Sequence, residues 1–266
     1  MALIVMFSAS GSPGVTASAL GVALTWPRPV LLVEGDPTGG SAVFAGYLRA
    51  ESAPASSLID LALAERHGEL GKAIAGATVR MPGPPEATVA LLPGTRSHGQ
   101  ARSLLPLWEK LAAEFKALEA TGQDVIVDAG RLGLSGSPDP LIYAADLALL
   151  VTRTDLVSLS AARSWAETVR AGFERVGGRS SLGLLLVGEG EPYSARDVQK
   201  VLQIPVTASL AWDPAAADVF AKGAKAPRRF DSSLFVRSLA AGQTAIQAAV
   251  VANRDQLATQ TVGGLT

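Results

Sequence analysis

Short apolar runs alternate along this chain with longer segments in which apolar residues recur at every third or fourth position. The runs at residues 3–7, 29–33 and 182–187 contain no polar side chain. Strands that lack polar alternation are buried on both faces, as in a parallel sheet. The chain is therefore predicted to form an α/β fold, a doubly wound and mainly parallel sheet with helices on both faces.

The same pattern predicts the remaining elements. Further strands are expected at residues 88–92, 123–128, 146–152 and 206–211. Helices are expected at residues 15–26, 58–66, 69–75, 104–118, 156–173, 195–202 and 232–253, with one more before Gly223. We expect a single domain over residues 1–255, followed by a flexible polar tail over residues 256–266.

Composition narrows the class of protein. With 266 residues and 48% hydrophobic content, the chain can fill the core of one large domain. The 23 basic and 24 acidic residues leave a net charge of −1, so no overall field favours nucleic acid or an anionic membrane. Cysteine is absent, which excludes disulfides and thiolate metal sites and is consistent with a cytoplasmic location.

The sequence does not predict membrane insertion. It contains no uninterrupted run of about 20 apolar residues, and no basic region precedes the first apolar stretch. The tail after Arg254 also lacks the basic amphipathic face of a membrane-anchoring helix.

Residues 10–17, Ser-Gly-Ser-Pro-Gly-Val-Thr-Ala, have the outline of a phosphate-binding loop. They follow the first predicted strand and open the first predicted helix, which is the context that the Walker A motif G-x-x-x-x-G-K-[ST] requires. Val15, however, stands at the position of the lysine. Taken alone, the segment is explained equally well as an ordinary strand-to-helix turn.

Two later strands end in acidic residues. Residues 29–33 run into Glu34 and Asp36, and residues 123–127 run into Asp128. Because ligands bind at the carboxyl ends of parallel strands, these acids are candidate site residues. Aspartates at strand ends are also common caps and turn formers, and that alternative stays open.

Together these segments resemble the ParA/MinD family of deviant Walker ATPases, in which the first loop reads K-G-G-x-G-K-T-T, the second strand ends D-x-D-P-Q-G and the Walker B strand ends in aspartate. Residues 10–17 align with the first motif without a gap. Ser10 then replaces the signature lysine and Val15 replaces the Walker lysine. The acids described above align with the second and third motifs, and the likeness extends over about residues 2–255.

This resemblance implies a P-loop site for ATP or ADP with Mg²⁺. The loop would consist of Gly11, Ser12, Gly14, Val15, Thr16 and Ala17. Thr16, Asp36 and Asp128 would hold the metal, and Asp36 would also position the attacking water. Without either lysine, we expect nucleotide binding to be weak or absent and hydrolysis to be slow or absent, because charge develops on the transferred phosphoryl group.

Two arginines are candidates to replace the missing charge. Arg131 follows the Walker B aspartate, and Arg153 follows the strand predicted at residues 146–152. Either side chain could reach a phosphate at the carboxyl edge of the sheet. The alternative, which the sequence favours, is that each arginine is solvated or paired with a carboxylate.

The densest positive charge lies in residues 222–229, as Lys222, Lys225, Arg228 and Arg229. This cluster could contact a protein partner or, nonspecifically, DNA phosphates, but no aromatic residues are interleaved with it, so a solvated loop is the favoured interpretation. His67 and His98 are isolated in the sequence, which makes a metal-binding role for either one improbable.

The sequence favours a ParA/MinD-like pseudo-ATPase that acts as a spatial organiser or assembly scaffold, for example for a tight-adherence pilus or other polar machinery. One alternative is a slow ATPase for chromosome or plasmid partitioning or for septum placement. Another is an adaptor whose nucleotide site is closed. The resemblance implies a face-to-face homodimer, although the change at Ser10 removes a contact across that interface.

Overall fold

The computed structural model of the protein describes residues 2–10, 13–51, 54–83 and 88–263, with side chains described up to residue 256. Within these residues the strands form one eight-stranded sheet in the order β3-β4-β2-β5-β1-β6-β7-β8. The strands are β1 Leu3–Ser8, β2 Val30–Glu34, β3 Val79–Arg80, β4 Val89–Leu92, β5 Asp124–Arg131, β6 Leu147–Arg153, β7 Leu182–Val187 and β8 Val206–Leu210.

All neighbouring strands are parallel except the edge pair β3 and β4, which is antiparallel. The parallel sheet predicted from the uninterrupted apolar runs is confirmed. The sequence pattern did not indicate β3, because this strand has only two residues and neither is buried.

Helices connect the strands and cover the sheet. They are α1 Val15–Leu24, α2 Ala42–Ala45, α3 Leu58–Arg66, α4 Leu70–Ala77, α5 Trp108–Ala117, α6 Asp139–Ala144, α7 Leu156–Arg175, α8 Ala195–Leu202, α9 Pro214–Lys222 and α10 Leu234–Gly263. The sequence pattern missed α2 and α6, since four and six residues are too short to establish a helical period.

The helix predicted at residues 104–118 is correct only in part. Residues His98–Leu107 form a 3-10 segment that contains Pro106, and the α-helix begins at Trp108. Proline lacks the backbone N–H and restricts the preceding residue, so the regular α-helix starts after it.

The sheet separates two apolar clusters. Along β1, Leu3, Val5 and Phe7 belong to the cluster that α5 and α7 cover. Ile4 and Met6 belong to the opposite cluster, which α1 and α10 cover. Successive strand side chains point to opposite faces, so each apolar strand contributes to both clusters. The carboxyl end of each strand therefore lies between two packed apolar layers.

The last helix packs along one face of the sheet. Its buried positions include Phe235, Leu239, Ile246 and Val250, spaced by four or seven residues, and the helix contacts β8 and α1. It continues to Gly263, beyond the end near residue 253 that the sequence predicts. By length and composition alone, Leu234–Gln256 is long and apolar enough to cross a membrane. The absence of membrane insertion therefore stays a prediction.

A buried carboxylate stabilises the edge of the sheet at which the central strands begin. Asp124, at the start of β5, accepts hydrogen bonds from the backbone N–H of Ala2 at 2.6 Å and from Nε1 of Trp26 at 2.7 Å. Its Oδ2 also lies 2.7 Å from Nη2 of Arg28. These contacts fix β1 against β5 and so determine how their carboxyl ends meet.

Candidate functional site

The candidate site lies where β1, β2 and β5 end side by side. β5 pairs with β2 on one side and with β1 on the other, all in parallel. The chain therefore brings the loop after β1, the acidic turn after β2 and the end of β5 to one edge of the sheet. That edge is where ligands bind in open α/β sheets.

The loop between β1 and α1 has a backbone conformation that requires glycine. Gly14 precedes the first residue of α1 and has a φ of 98°, in the left-handed region that glycine adopts without steric cost. Its carbonyl oxygen accepts the N–H of Ser18 at 2.8 Å. Gly11 and Ser12 lie outside the described residues. Ala17 is buried within α1.

Val15 is part of the core. Its side chain is only 7% exposed and belongs to the apolar cluster formed by α1, α10 and the sheet. Position 15 in this chain therefore contributes apolar packing and no charge. Ser10 is half-buried at the start of the loop that connects β1 to α1, and its side chain also provides no positive charge.

Thr16 and Asp128, by contrast, are joined directly. The Thr16 hydroxyl donates a hydrogen bond to Oδ2 of Asp128, and the N–H of Gly130 donates to Oδ1 at 2.9 Å. Burial raises the pKa of the Asp128 carboxyl to about 7, and the negative charges of Asp36 and Glu34 add to the rise. The two hydrogen bonds lower the pKa but do not offset the burial.

Asp36 lies against the same turn. A Cβ added to Gly130 would sit 2.3 Å from Cγ of Asp36, so the carboxyl group packs directly over the glycine backbone. The N–H of Thr38 donates to Oδ1 of Asp36 at 2.8 Å, and the N–H of Gly35 donates to the Asp128 carbonyl oxygen at 2.7 Å. The structure thus brings the turns containing Asp36 and Asp128 together around Gly130.

Glu34, which aligns with the first acid of the second motif, has a different role. It is buried and accepts hydrogen bonds from the Ser41 hydroxyl, from the N–H of Val43 at 2.9 Å and from the N–H of Gly94 at 3.3 Å. Burial raises the pKa of its carboxyl group above the ordinary value. Glu34, at the end of β2, therefore holds the start of α2 and the loop after β4 together. The sequence could not reveal this role because α2 has no helical period of its own.

The two candidate arginines occupy different environments. Arg131 is exposed at the end of β5, with its backbone beside Ser8. Arg153 has Nε 3.5 Å from Oδ2 of Asp155, and its guanidinium lies 3.9 Å from the ring centroid of Trp212. The arginine at 153 is thus already held by a carboxylate and an aromatic face, whereas Arg131 has the exposed position of a solvated side chain.

The predicted basic cluster lies at the end of α9. Nζ of Lys222 lies 2.9 Å from Oδ2 of Asp218, whereas Lys225, Arg228 and Arg229 are exposed. Three of these four cations are therefore exposed at the surface on one loop. His67 and His98 are exposed, and no group of three metal-ligating side chains occurs in the described part of the chain.

The chemistry of this edge is defined by oxygen atoms. Thr16, Asp36 and Asp128 offer a hydroxyl and two carboxyl groups, and the start of α1 offers backbone N–H groups. Mg²⁺ prefers oxygen ligands, keeps several waters and is commonly held by one or two carboxylates together with substrate phosphates. The donor set therefore fits Mg²⁺ only in part, and a bound phosphate would have to complete it.

Comparison with known proteins identifies the fold. No protein-family model matches the chain, and no curated protein matches it in sequence. Among solved structures, the cell division ATPase MinD of Pyrococcus furiosus is similar, with a TM-score of 0.69, 21% identity and coverage of 92% of this chain and 98% of that one.

Two further structures are similar in the same way. The ParA family ATPase from Chlorobium tepidum TLS has a TM-score of 0.67 at 17% identity, and the alignment covers 91% of this chain and 97% of that one. The septum site-determining protein MinD of Pyrococcus horikoshii OT3, complexed with Mg-ADP, has a TM-score of 0.66 at 21% identity, with 92% and 95% covered. The chain has the fold of MinD and ParA ATPases, as the sequence motifs predict.

Proposed function

We propose that this chain, which has the fold of MinD and ParA ATPases, is a pseudo-ATPase that acts in the cytoplasm as a spatial organiser or assembly scaffold. The observation that carries the proposal is the contrast between two neighbouring residues. Val15 is buried in the core and supplies no positive charge. Thr16, next to it, keeps its hydrogen bond to Asp128.

The electrostatics of the site support this assignment. In a working P-loop, lysine contacts the β- and γ-phosphates while metal is held by the loop hydroxyl and an acidic residue. Here the acidic and hydroxyl groups are present, but the loop side chain is valine. A triphosphate would approach two carboxyl groups without a compensating lysine, so its binding depends on backbone N–H groups and Mg²⁺.

Mg-nucleotide would be held by Thr16, Asp128 and Asp36 if it binds. The metal would neutralise phosphate charge, which is the one contribution that these residues do not supply themselves. Thr16 and Asp128 would orient the ion, and the Asp36 turn would border the phosphate. One solved structure with this fold contains Mg-ADP. This supports the part of our proposal in which the chain still binds nucleotide, at low affinity.

The role we favour is that of a scaffold that recruits a protein partner to a defined cellular position, such as a tight-adherence pilus assembly site. Its support is the retained fold together with the altered loop. A homodimer formed through the carboxyl edge of the sheet is part of this proposal. Analytical ultracentrifugation with and without Mg-ATP tests it; a strictly monomeric protein under both conditions would contradict the dimer.

The second candidate is a slow ATPase for DNA partitioning or septum placement. Exposed Lys225, Arg228 and Arg229 favour it, because three cations on one loop can contact phosphates. A triple change of these residues to alanine separates the two roles in a nonspecific DNA retention assay. If the scaffold proposal is right, retention is weak in both proteins; strong retention that the triple change abolishes favours partitioning.

The central test is a titration of the purified protein with a fluorescent ATP analogue, with and without Mg²⁺, combined with a phosphate-release assay. We expect weak, Mg²⁺-dependent binding and no phosphate release above background. Saturable micromolar binding accompanied by turnover would overturn the pseudo-ATPase assignment. Absence of any binding would instead favour the remaining hypothesis, an adaptor with a closed nucleotide site.

A further inference from the structure

Exposed apolar side chains cluster at the carboxyl ends of β6, β7 and β8. Of the ten large apolar side chains that are exposed in the described residues, four lie here, and we call them the edge patch. They are Leu156 and Val157 at the start of α7, Tyr193 in the loop after β7, and Trp212 after β8. Leu156 and Val157 are 68% and 81% exposed. A patch of this kind marks an interaction surface, and the proposed nucleotide site does not use it.

Contacts between three loops make the edge patch one surface. The Thr154 hydroxyl donates a hydrogen bond to the carbonyl oxygen of Gly188, and its oxygen lies 3.2 Å from the carbonyl oxygen of Glu191. The start of α7 is thus fixed to the loop that carries Tyr193. A Cβ added to Gly188 would lie 3.2 Å from Cβ of Trp212, so the same loop also packs against the tryptophan.

The border of the edge patch is acidic. Residues 188–197, which include Tyr193, carry three acids and one arginine. Two of these acids, Glu189 and Glu191, are exposed in the loop itself. The arginine that contacts Trp212, Arg153, is paired with Asp155 at 3.5 Å. The patch therefore suits a partner surface that is both apolar and positively charged.

The same chain carries a surface of that kind. The basic loop, residues 223–229, follows α9, contains no acidic residue and exposes Lys225, Arg228 and Arg229. Long basic side chains lay their aliphatic stems on apolar surfaces, and guanidinium groups stack on aromatic rings. The chain already makes one contact of this type, since Arg153 lies 3.9 Å from the ring centroid of Trp212.

Contacts at both ends hold the basic loop in place. Nε of Arg49 donates to the carbonyl oxygen of Gly223 at 2.9 Å. The N–H of Phe230 donates to the carbonyl oxygen of Pro227 at 3.1 Å, and the Phe230 ring centroid lies 5.7 Å from that of Phe220 in α9. A loop that is held before binding loses less conformational entropy when it binds.

The edge patch and the basic loop lie on different sides of the molecule. α7 and α8, which begin at the patch, cover one face of the sheet, whereas the basic loop joins α9 to α10 on the other face. These positions favour contact between the loop of one copy and the patch of another. Contact between two different surfaces of identical chains is heterologous, and it repeats into a ring or an open chain.

We propose that copies of this chain associate head to tail, with the basic loop of one copy bound to the edge patch of the next. Glu189 and Glu191 of one copy face Lys225, Arg228 and Arg229 of the other, and the stems of these cations cover the apolar residues. The proposal goes beyond the function proposed above, because the contact requires neither nucleotide nor a two-fold homodimer.

Sedimentation velocity of the full-length protein without nucleotide, at up to about 200 µM, measures the assembly. We expect species larger than a dimer. They should become fewer when the salt concentration rises from about 0.1 M to about 1 M, because the Debye length falls from about 10 Å to about 3 Å. A protein that remains monomeric would overturn the proposal and leave the edge patch to a different partner. Association that ends at a dimer would also overturn it and would support the two-fold homodimer instead.

Two charge reversals identify the surfaces that meet. The loop variant carries Lys225→Glu, Arg228→Glu and Arg229→Glu, and the patch variant carries Glu189→Lys and Glu191→Lys. Each variant alone should associate at least about tenfold more weakly than wild type, because like charges then face each other. Mixing the two variants places opposite charges at every contact and should restore association. A mixture that stays as weak as its components would overturn the proposal.

A matched triple variant controls for net charge. Arg66→Glu, Lys72→Glu and Lys116→Glu change the net charge as much as the loop variant does, at exposed positions on α3, α4 and α5. These helices contribute to neither surface, so this variant should associate like wild type. A loss equal to that of the loop variant would show that net charge alone controls association, and the proposal would be wrong.

The apolar part of the contact is tested separately. Leu156→Gln combined with Val157→Gln removes two exposed apolar side chains without changing the charge. Because exposed positions contribute little to stability, the melting temperature should stay within about 2 °C of wild type, while association weakens. Association of wild-type strength in this double variant would exclude the edge patch from the contact and overturn the proposal.

Discussion

Thr16 and Asp128, 112 residues apart in the chain, are joined by a hydrogen bond from the threonine hydroxyl to Oδ2 of the aspartate. This bond links the start of α1 to the end of β5 at the centre of the sheet. In the proposed function, these two side chains would hold the metal ion together. The protein has kept this pair although residue 15, beside it, is an apolar core residue.

Replacing Val15 with lysine should restore nucleotide affinity if the rest of the site is competent. A lysine that reaches the phosphates adds a charge-assisted contact of about 1.5–3 kcal/mol, equivalent to about 10- to 150-fold tighter binding. The fluorescent ATP titration measures the change. Val15→Met is the control, since it lengthens the side chain without charge and should leave the affinity as it was.

Because Val15 is buried, Val15→Lys should also lower the melting temperature. Mg-ATP should raise that melting temperature more in the lysine variant than in wild type. If the variant folds but gains no affinity, other elements of the site prevent phosphate binding, and the adaptor with a closed site becomes the better assignment.

Removing the Thr16 hydroxyl should weaken both the fold and metal-dependent binding. Thr16→Val deletes the donor to the buried Asp128 carboxyl, and loss of such a bond costs about 1–3 kcal/mol. Chemical denaturation measures this cost. Thr16→Ser retains the hydroxyl and should lose less than half as much stability. Equal losses in the two variants would show that the methyl group, and not the hydrogen bond, stabilises the contact.

The pH dependence of stability should report on Asp128. Its folded-state pKa of about 7 lies above the ordinary value of 3.8, so between these values the folded state binds more protons than the unfolded chain. The stability that Asp128 contributes is fully present below about pH 4 and is lost as the pH rises through about 7.

Asp128→Asn, which cannot ionise, should therefore flatten the fall in unfolding free energy between pH 5 and pH 8, as measured by denaturant titration. Glu174→Gln changes an exposed carboxylate and serves as the control. If wild type and Asp128→Asn lose stability in parallel over this range, the Asp128 carboxyl is already ionised in the folded protein and its pKa is not raised.

Gly130 should not tolerate a side chain. A Cβ at this position would lie 2.3 Å from Cγ of Asp36, and the backbone φ of 65° is already unfavourable for alanine. Gly130→Ala should thus cost both the strain of the left-handed conformation, about 1 kcal/mol, and the displacement of Asp36.

Gly190→Ala isolates the first of these effects. Gly190 has a φ of 85°, but a Cβ there would meet nothing within 4 Å, so the substitution introduces backbone strain alone. Thermal unfolding of both variants gives the difference. Equal destabilisation would show that Asp36 moves aside freely and does not form a rigid site with Asp128.

Much of the fold could be predicted because its signals are local. Residues Leu182–Val187 and Ala195–Leu202 form a strand and a helix with the predicted bounds. The strand is an unbroken apolar run, and the helix begins at Ser194 with Asp197 three residues later, a capping box that both side chains complete. Each of these features involves residues that are neighbours in the chain.

The candidate site was predicted less completely, because aligned residues do not show where their side chains point. Glu34 and Asp36 are two residues apart in one motif, yet Glu34 turns back to α2 while Asp36 packs on Gly130. Arg153, a candidate phosphate ligand, stacks on Trp212, 59 positions later in the chain. Such partners lie far apart in sequence, and no periodic pattern links them.

The sequence by itself determined the parallel sheet, the glycine turn after β1 and the absence of a lysine in that turn, because apolar periodicity and residue identity depend on the chain alone. Only the tertiary structure decided that Val15 is buried, that Thr16 donates to Asp128, and that Glu34 has a structural role. The burial of a side chain and its pKa depend on the atoms that packing brings around it from distant segments.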